Sequence, residues 1–263
     1  MPAQRKTFKA PNKTTKKLFH KHLLLAPVLT GNLSGYSNFD KTHIMITKKT
    51  LDFFKEISKN NNKPWFEKNK PRYETARENY LEFIDELLPH IKKIEPIFDK
   101  DLKKYASRIY RDVRFSKDKS PYKNHISGLI ERAPDHKKCP LYIHIQPGGS
   151  FIGGGVWQPE PNLLSQVRQE IDYNGSEFNK IIHKKSFVNL FGQLTGESLV
   201  RPPKGYEADN PNIELLKLKQ YTIHRQFTDD LVCSNDFVKE IVKSYKEALP
   251  FFNFFDVVKQ GAA

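Results

Sequence analysis

The hydrophobic period of this chain changes once, near residue 105. Before that point Tyr73, Ala76, Tyr80, Phe83, Leu87 and Ile91 follow one another at steps of three and four, with Ile84 and Leu88 widening the stripe. That spacing predicts an amphipathic helix whose aromatic face packs a core. Beyond it, residues 107–115, 125–132, 141–146 and 151–157 alternate in the period of strands. Pro147-Gly148-Gly149-Ser150 between the last two reads as a tight hairpin turn, because glycine reaches the positive φ such turns need. Strands that are sequence neighbours pair most economically as a meander. The expected fold class is therefore α+β. A mostly antiparallel sheet, a meander around residues 107–157 plus a later strand at 219–227, is packed by N-terminal and C-terminal helices.

The flanking helices have legible punctuation. Thr50 reads as the N-cap of a first helix carrying Leu51, Phe54 and Ile57, and Asn60-Asn61-Asn62 breaks it. Pro64 suits the first turn of a short helix with Trp65 and Phe66, and Pro71 opens the long one. Past the strands, Leu164, Val167 and Ile171 share a helical face that Gly175 stops, and a further helix is expected over 176–183. Residues 186–217 are ambiguous, with Pro202, Pro203, Gly205 and Pro211 suggesting loop. A last helix over 236–249 carries Phe237, Ile241, Tyr245 and Leu249, with Ser234 or Asn235 as its cap and Pro250 as its end.

A chain of 263 residues can bury a sizeable core, and 19 Phe and 11 Tyr supply much of it. Two cysteines, Cys139 and Cys233, make no disulfide framework and no zinc-ligand spacing, so no metal is expected and a reducing, cytoplasmic setting is. No apolar run approaches the ~20 residues that span a bilayer, so no membrane partner is expected. The net charge of +14 is unevenly spread. Eight of the 44 Lys and Arg fall in residues 1–44 against one Asp, leaving 36 against 29 Asp and Glu beyond, so each part carries +7. Residues 1–44 are therefore expected to be a basic, disordered extension, or one that precedes a start at Met45. Residues 45–263 are expected to form one mildly basic domain.

The chemistry concentrates in residues 108–123, Arg-Ile-Tyr-Arg-Asp-Val-Arg-Phe-Ser-Lys-Asp-Lys-Ser-Pro-Tyr-Lys, which hold six cations against two carboxylates. With 108–115 as a strand, Ile109, Val113 and Phe115 share one face with Arg111. The other carries Arg108, Tyr110, Asp112 and Arg114. Tyr142 and His144 of the 141–146 strand would join that second face, making Asp112 and His144 candidate catalytic groups. Lys117 and Lys119 in the following turn, with Tyr122 and Lys123 beyond it, join the arginines as candidate ligands for a phosphate or carboxylate. The same alternation also makes cross-strand ion pairs, and a Lys-rich turn guards an edge against aggregation. Gly153-Gly154-Gly155 inside a strand weakens it unless something compensates, and close backbone approach to a ligand at Gly154 is one reason. Trp157 reads as core plug or ligand platform, and Arg168, one turn after Leu164, as a group reaching toward the glycines or into water.

The run 108–123 resembles the signature of domain-of-unknown-function family 2461. Asn-Asn-Asn-Lys-Pro-Trp-Phe-Glu-Lys-Asn-Lys upstream, with Tyr73, is similar to that family's opening, and Gly-Gly-Gly-Val-Trp-Gln-Pro and Arg-Pro-Pro-Lys-Gly-Tyr to its later blocks. The resemblance covers about residues 47–258. It implies one domain and no particular activity or cofactor. Its motif residues fall on Trp65, Phe66, Pro121, Tyr122 and the charged residues of 108–123, together with the three glycines. The expected partner is a phosphorylated or carboxylated small molecule. The alternatives are nucleic acid stacked on Tyr110, Tyr122 or Trp157, and a non-catalytic scaffold.

Overall fold

A computed structural model of the chain describes residues 45–133, 139–194 and 196–258, all within one compact unit that spans 42–263. The expected extension over 1–44 lies outside the described residues. Helix α1 (Lys48–Lys59) is capped three residues earlier than Thr50. Thr47 is its N-cap, accepting from the Thr50 amide at 3.4 Å, and Thr50 is buried with its hydroxyl donating to Asn79 Oδ1 at 2.7 Å. Helix α2 (Lys63–Lys92) begins at the Asn62 cap, with Pro64 in its first turn, and is continuous through Pro71. Proline removes one helical hydrogen bond there. Phe66 before it and Ala76, Tyr80 and Phe83 after it are buried in the same core, which holds both halves on one axis.

Four strands form one antiparallel sheet in sequence order: β1 (Ile126–Ile130), β2 (Leu141–Ile145), β3 (Ser150–Val156) and β4 (Tyr221–Phe227). The fold class is α+β as the change of period predicts. The outer edge of β1 is not left bare: Ser107 N donates to Ser127 O at 2.7 Å and Phe98 N to Glu131 O at 2.8 Å. Rows across the sheet alternate faces. Gly128, Ile143, Ile152 and Arg225 lie on the core side, where Arg225 reaches Glu240 Oε2 and Ser244 Oγ, both at 2.6 Å. Those two residues belong to the last helix, so this face is the one it covers.

Helix α3 (Pro161–Ile182) runs past Gly175, and the expected break shows as a kink at Asn174 (φ −111°, ψ 26°). The short helices α4 (Lys185–Phe191), α5 (Ile213–Leu216) and α6 (Asp229–Val232) precede α7 (Phe237–Phe254). The two before β4 fall at the ends of the stretch whose reading is ambiguous, and residues 201–211 between them form no helix or strand. Helix α7 starts from Asp236 without a side-chain cap and continues through Pro250 to Phe254. Phe251, Phe252 and Phe254 are buried, and their packing on Phe178 and Tyr245 offsets the bond that Pro250 removes.

Candidate functional site

Residues 108–115 are not a strand. Only a short antiparallel rung joins this stretch to its far end, with Arg111 N donating to Pro121 O at 2.9 Å and Lys123 N to Ile109 O at 2.8 Å around a Tyr110–Tyr122 bridge. Between these rungs the chain folds back on itself. Arg111 pairs with Asp118 and donates to Ser120 O at 3.1 Å, and Arg114 grips Asp112 at 2.7 Å. Lys119 Nζ donates to Val113 O at 2.9 Å. Charges two and seven residues apart thus close a loop where strand alternation predicts a face. Phe115, expected inside, is 96% exposed at its tip.

The base of this loop is held from α1 and α2. Asn61, between the two helices, clamps the Tyr122 backbone, donating to its carbonyl at 2.8 Å and accepting from its amide at 3.0 Å. Phe66 stacks on the Tyr122 ring at 4.2 Å. Asn61 was legible only as a helix breaker, although it stands in the block that opens the family resemblance. Its amide fits the backbone of a residue 61 positions away, which no local pattern encodes.

A cleft of about 480 Å³ opens beneath the loop, lined by Asn61, Arg111, Asp118, Lys123, Asn124 and His125 among others. Asp118 is held down at about 2 by hydrogen bonds from Ser120 and by Arg111, so it stays ionised and neutralises that guanidinium. Lys123 is different. Its ammonium is half-buried and donates to the Ser107 hydroxyl at 3.2 Å, and among the described residues it has no carboxylate partner. Burial, then repulsion from Arg108, depresses its pKa. His125 is pushed down to about 4 by burial first, then by His144, Lys123 and Arg111. The cleft thus combines an uncompensated ammonium with a neutral imidazole and two amides.

The expected site residues divide. Arg111, Asp112, Tyr122 and Lys123 line the cleft, and Arg108 acts on it through its repulsion of Lys123. Arg114, Lys117 and Lys119 stand on the exposed loop above. Asp112 and His144, expected as a pair, have separate partners: Asp112 is bound to Arg114, while His144 meets Tyr142 Oη at 3.1 Å and Gln146 Oε1 at 3.0 Å. Two residues have structural employment elsewhere. A Cβ at Gly154 would come within 2.6 Å of the Phe252 ring, and Arg168 donates to Leu216 O and Leu218 O at 2.7 and 3.1 Å. Trp157 does not plug the core; it is 64% exposed and lies outside the cleft lining. His125, which the strand alternation does not single out, is the imidazole that lines the cleft. Among the described residues no group of three or more His, Cys, Asp or Glu is placed to hold a metal ion, and no helix is long and apolar enough to cross a membrane.

Fold and site together define an α+β domain in which a clamped, highly basic loop overhangs a cleft at one edge of an antiparallel sheet. The chain belongs to the DUF2461 family of conserved hypothetical proteins, which it matches over residues 49–254, a span that includes every cleft residue named above. No curated protein matches it, and no solved structure does.

Proposed function

We propose that the protein binds a small anion, a phosphate or carboxylate group, in the cleft beneath the 108–123 loop. The observation that carries this is Lys123. Burying an ammonium beside other cations without a carboxylate costs stability, and a ligand that brings the missing negative charge removes that cost. Asn61 and Asn124 supply neutral amides beside it, and neutral His125 accepts or donates one further hydrogen bond. Arg111 is already paired with Asp118, so it orients the site more than it draws the ligand. The volume of about 480 Å³ falls within the range of small-molecule sites.

Thermal unfolding of the full chain against inorganic phosphate, sulfate, sugar phosphates and di- and tricarboxylates tests this reading. A ligand at 100 times its Kd adds about 2.7 kcal/mol of stability, a shift of roughly 5–10 °C for a domain of this size. A shift from at least one class, lost in Lys123→Met, is the expected outcome. A flat response from a well-folded protein overturns the reading.

A further inference from the structure

The sheet face turned away from α7 is polar and aromatic, and it runs into the cleft. Ser127, His144, Phe151 and Gln226 form one row across all four strands, and Leu129, Tyr142, Gly153 and His224 the next. Leu129 and Gln226 are exposed, and Tyr142, Phe151 and His224 are half-buried. Ser127, His144 and Gly153 are buried, so this face is open to solvent only in part, where the other is covered by α7.

Two contacts join it to the basic cleft. The Lys123 ammonium bonds Ser107 Oγ at 3.2 Å, and that hydroxyl lies 3.2 Å from Ser127 Oγ in the first row. The His125 ring, in the cleft lining, sits 4.2 Å from His144, which stacks on Phe151 at 4.7 Å. Tyr142 and His224 continue the ring path at 5.7 and 6.2 Å from Phe151. A positive group thus stands at one end of a row of rings in which Phe151, stacked on His144, and Tyr142 are only half-buried.

We propose that the anion bound in the cleft is the phosphate of a nucleoside monophosphate, whose base lies on the open sheet face against Phe151 and Tyr142. This rests on the anion reading above. Charge at one end and ring faces beside it match a ligand that joins a phosphate to a planar base, since every base stacks on an aromatic face and its edges seek polar neighbours. Gln226 and His224 provide such neighbours. One cleft of about 480 Å³ with one uncompensated ammonium matches a single nucleotide more closely than a strand with many phosphates.

Calorimetric titration of the full chain with the four nucleoside 5′-monophosphates, ribose 5-phosphate and inorganic phosphate separates the possibilities. At least one nucleotide is expected to bind about tenfold or more tighter than ribose 5-phosphate, the margin that one stacked base supplies. Phe151→Leu removes most of that margin while inorganic phosphate affinity changes by less than about twofold, as for independent sites. A second readout needs no variant: saturation transferred from aromatic protein protons reaches the base protons of the bound nucleotide. Equal affinity for nucleotides and ribose 5-phosphate overturns the inference and leaves the anion site standing. Absence of binding by every phosphate probe removes both. A short oligonucleotide binding about tenfold tighter than any mononucleotide makes the occupant a strand and also overturns it.

Discussion

Lys123 surrenders much of its hydration for a single hydroxyl contact beside Arg108. On the proposed anion site, a residue in that position serves binding at the expense of stability. Lys123→Met, which keeps most of the side chain's length and apolar stem, is expected to raise the unfolding midpoint in the absence of ligand. The same variant should weaken phosphate or sulfate binding about tenfold or more, the worth of a charge-assisted hydrogen bond. Calorimetry and thermal unfolding on the same preparation check both. A lowered midpoint with unaltered affinity would make Lys123 an ordinary structural cation. His125 adds a pH dependence whose sign is fixed. Its folded pKa of about 4 lies below the unfolded value of about 6.5, so the unfolded state binds more protons between these values. Its contribution to stability is complete above about pH 6.5 and is lost as pH falls toward about 4. Urea unfolding across that window should show a shallower slope in His125→Gln than in the wild type, and equal slopes would contradict the assignment.

At the scale of elements, the glycine run in β3 is a packing device at its centre. Gly154 admits the Phe252 ring of α7 and the Pro140 carbonyl, and Gly155 holds φ +121°, a conformation that side chains rarely adopt. Gly154→Ala is expected to cost about 1–3 kcal/mol in urea unfolding, and Phe252→Leu in the same chain should recover part of it. A neutral Gly154→Ala would show that the contact is looser than the structure has it. The four strands and the long helices were legible because their periods are set by one buried face, as in the alternation of Leu141, Ile143 and Ile145. The prolines misled. Pro71 and Pro250 read as helix boundaries, yet Phe66, Phe251 and Phe252 bury enough apolar surface on both sides to keep the helices continuous. The charged run misled in another way. Its Arg and Asp residues alternate like a strand, but Asp112–Arg114 and Arg111–Asp118 are pairs within the loop, so the second strand face expected there does not form. Its content was legible and its shape was not, because Asn61 and Phe66, more than 50 residues upstream, set the position of its base.

Across the whole molecule, one buried polar network ties the sheet to both helical flanks. Arg132, fully buried just past β1, bonds Glu95 Oε1 at 2.7 Å, Asp256 Oδ1 at 3.2 Å and Asn253, and Tyr245 donates to the same Glu95 oxygen. Breaking such a buried pair strands a carboxylate in a medium that cannot solvate it. Arg132→Met is expected to cost about 3–5 kcal/mol in urea unfolding at neutral pH, and Arg132→Met with Glu95→Gln markedly less. A loss below about 1 kcal/mol in the single variant would mean that water reaches Glu95 readily. The network anchors the C-terminal helix against the sheet's core face, which leaves the opposite face and the loop at its edge for a ligand.

Binding of an anion beside Lys123 and His125 can be followed through the histidine ring resonances while inorganic phosphate is added to the full chain at neutral pH. The His125 signals are expected to move saturably and the His125 pKa to rise from about 4, because the bound negative charge favours the protonated form, while the His183 and His90 signals stay still. Saturating phosphate that leaves the His125 signals and their titration unchanged would contradict it.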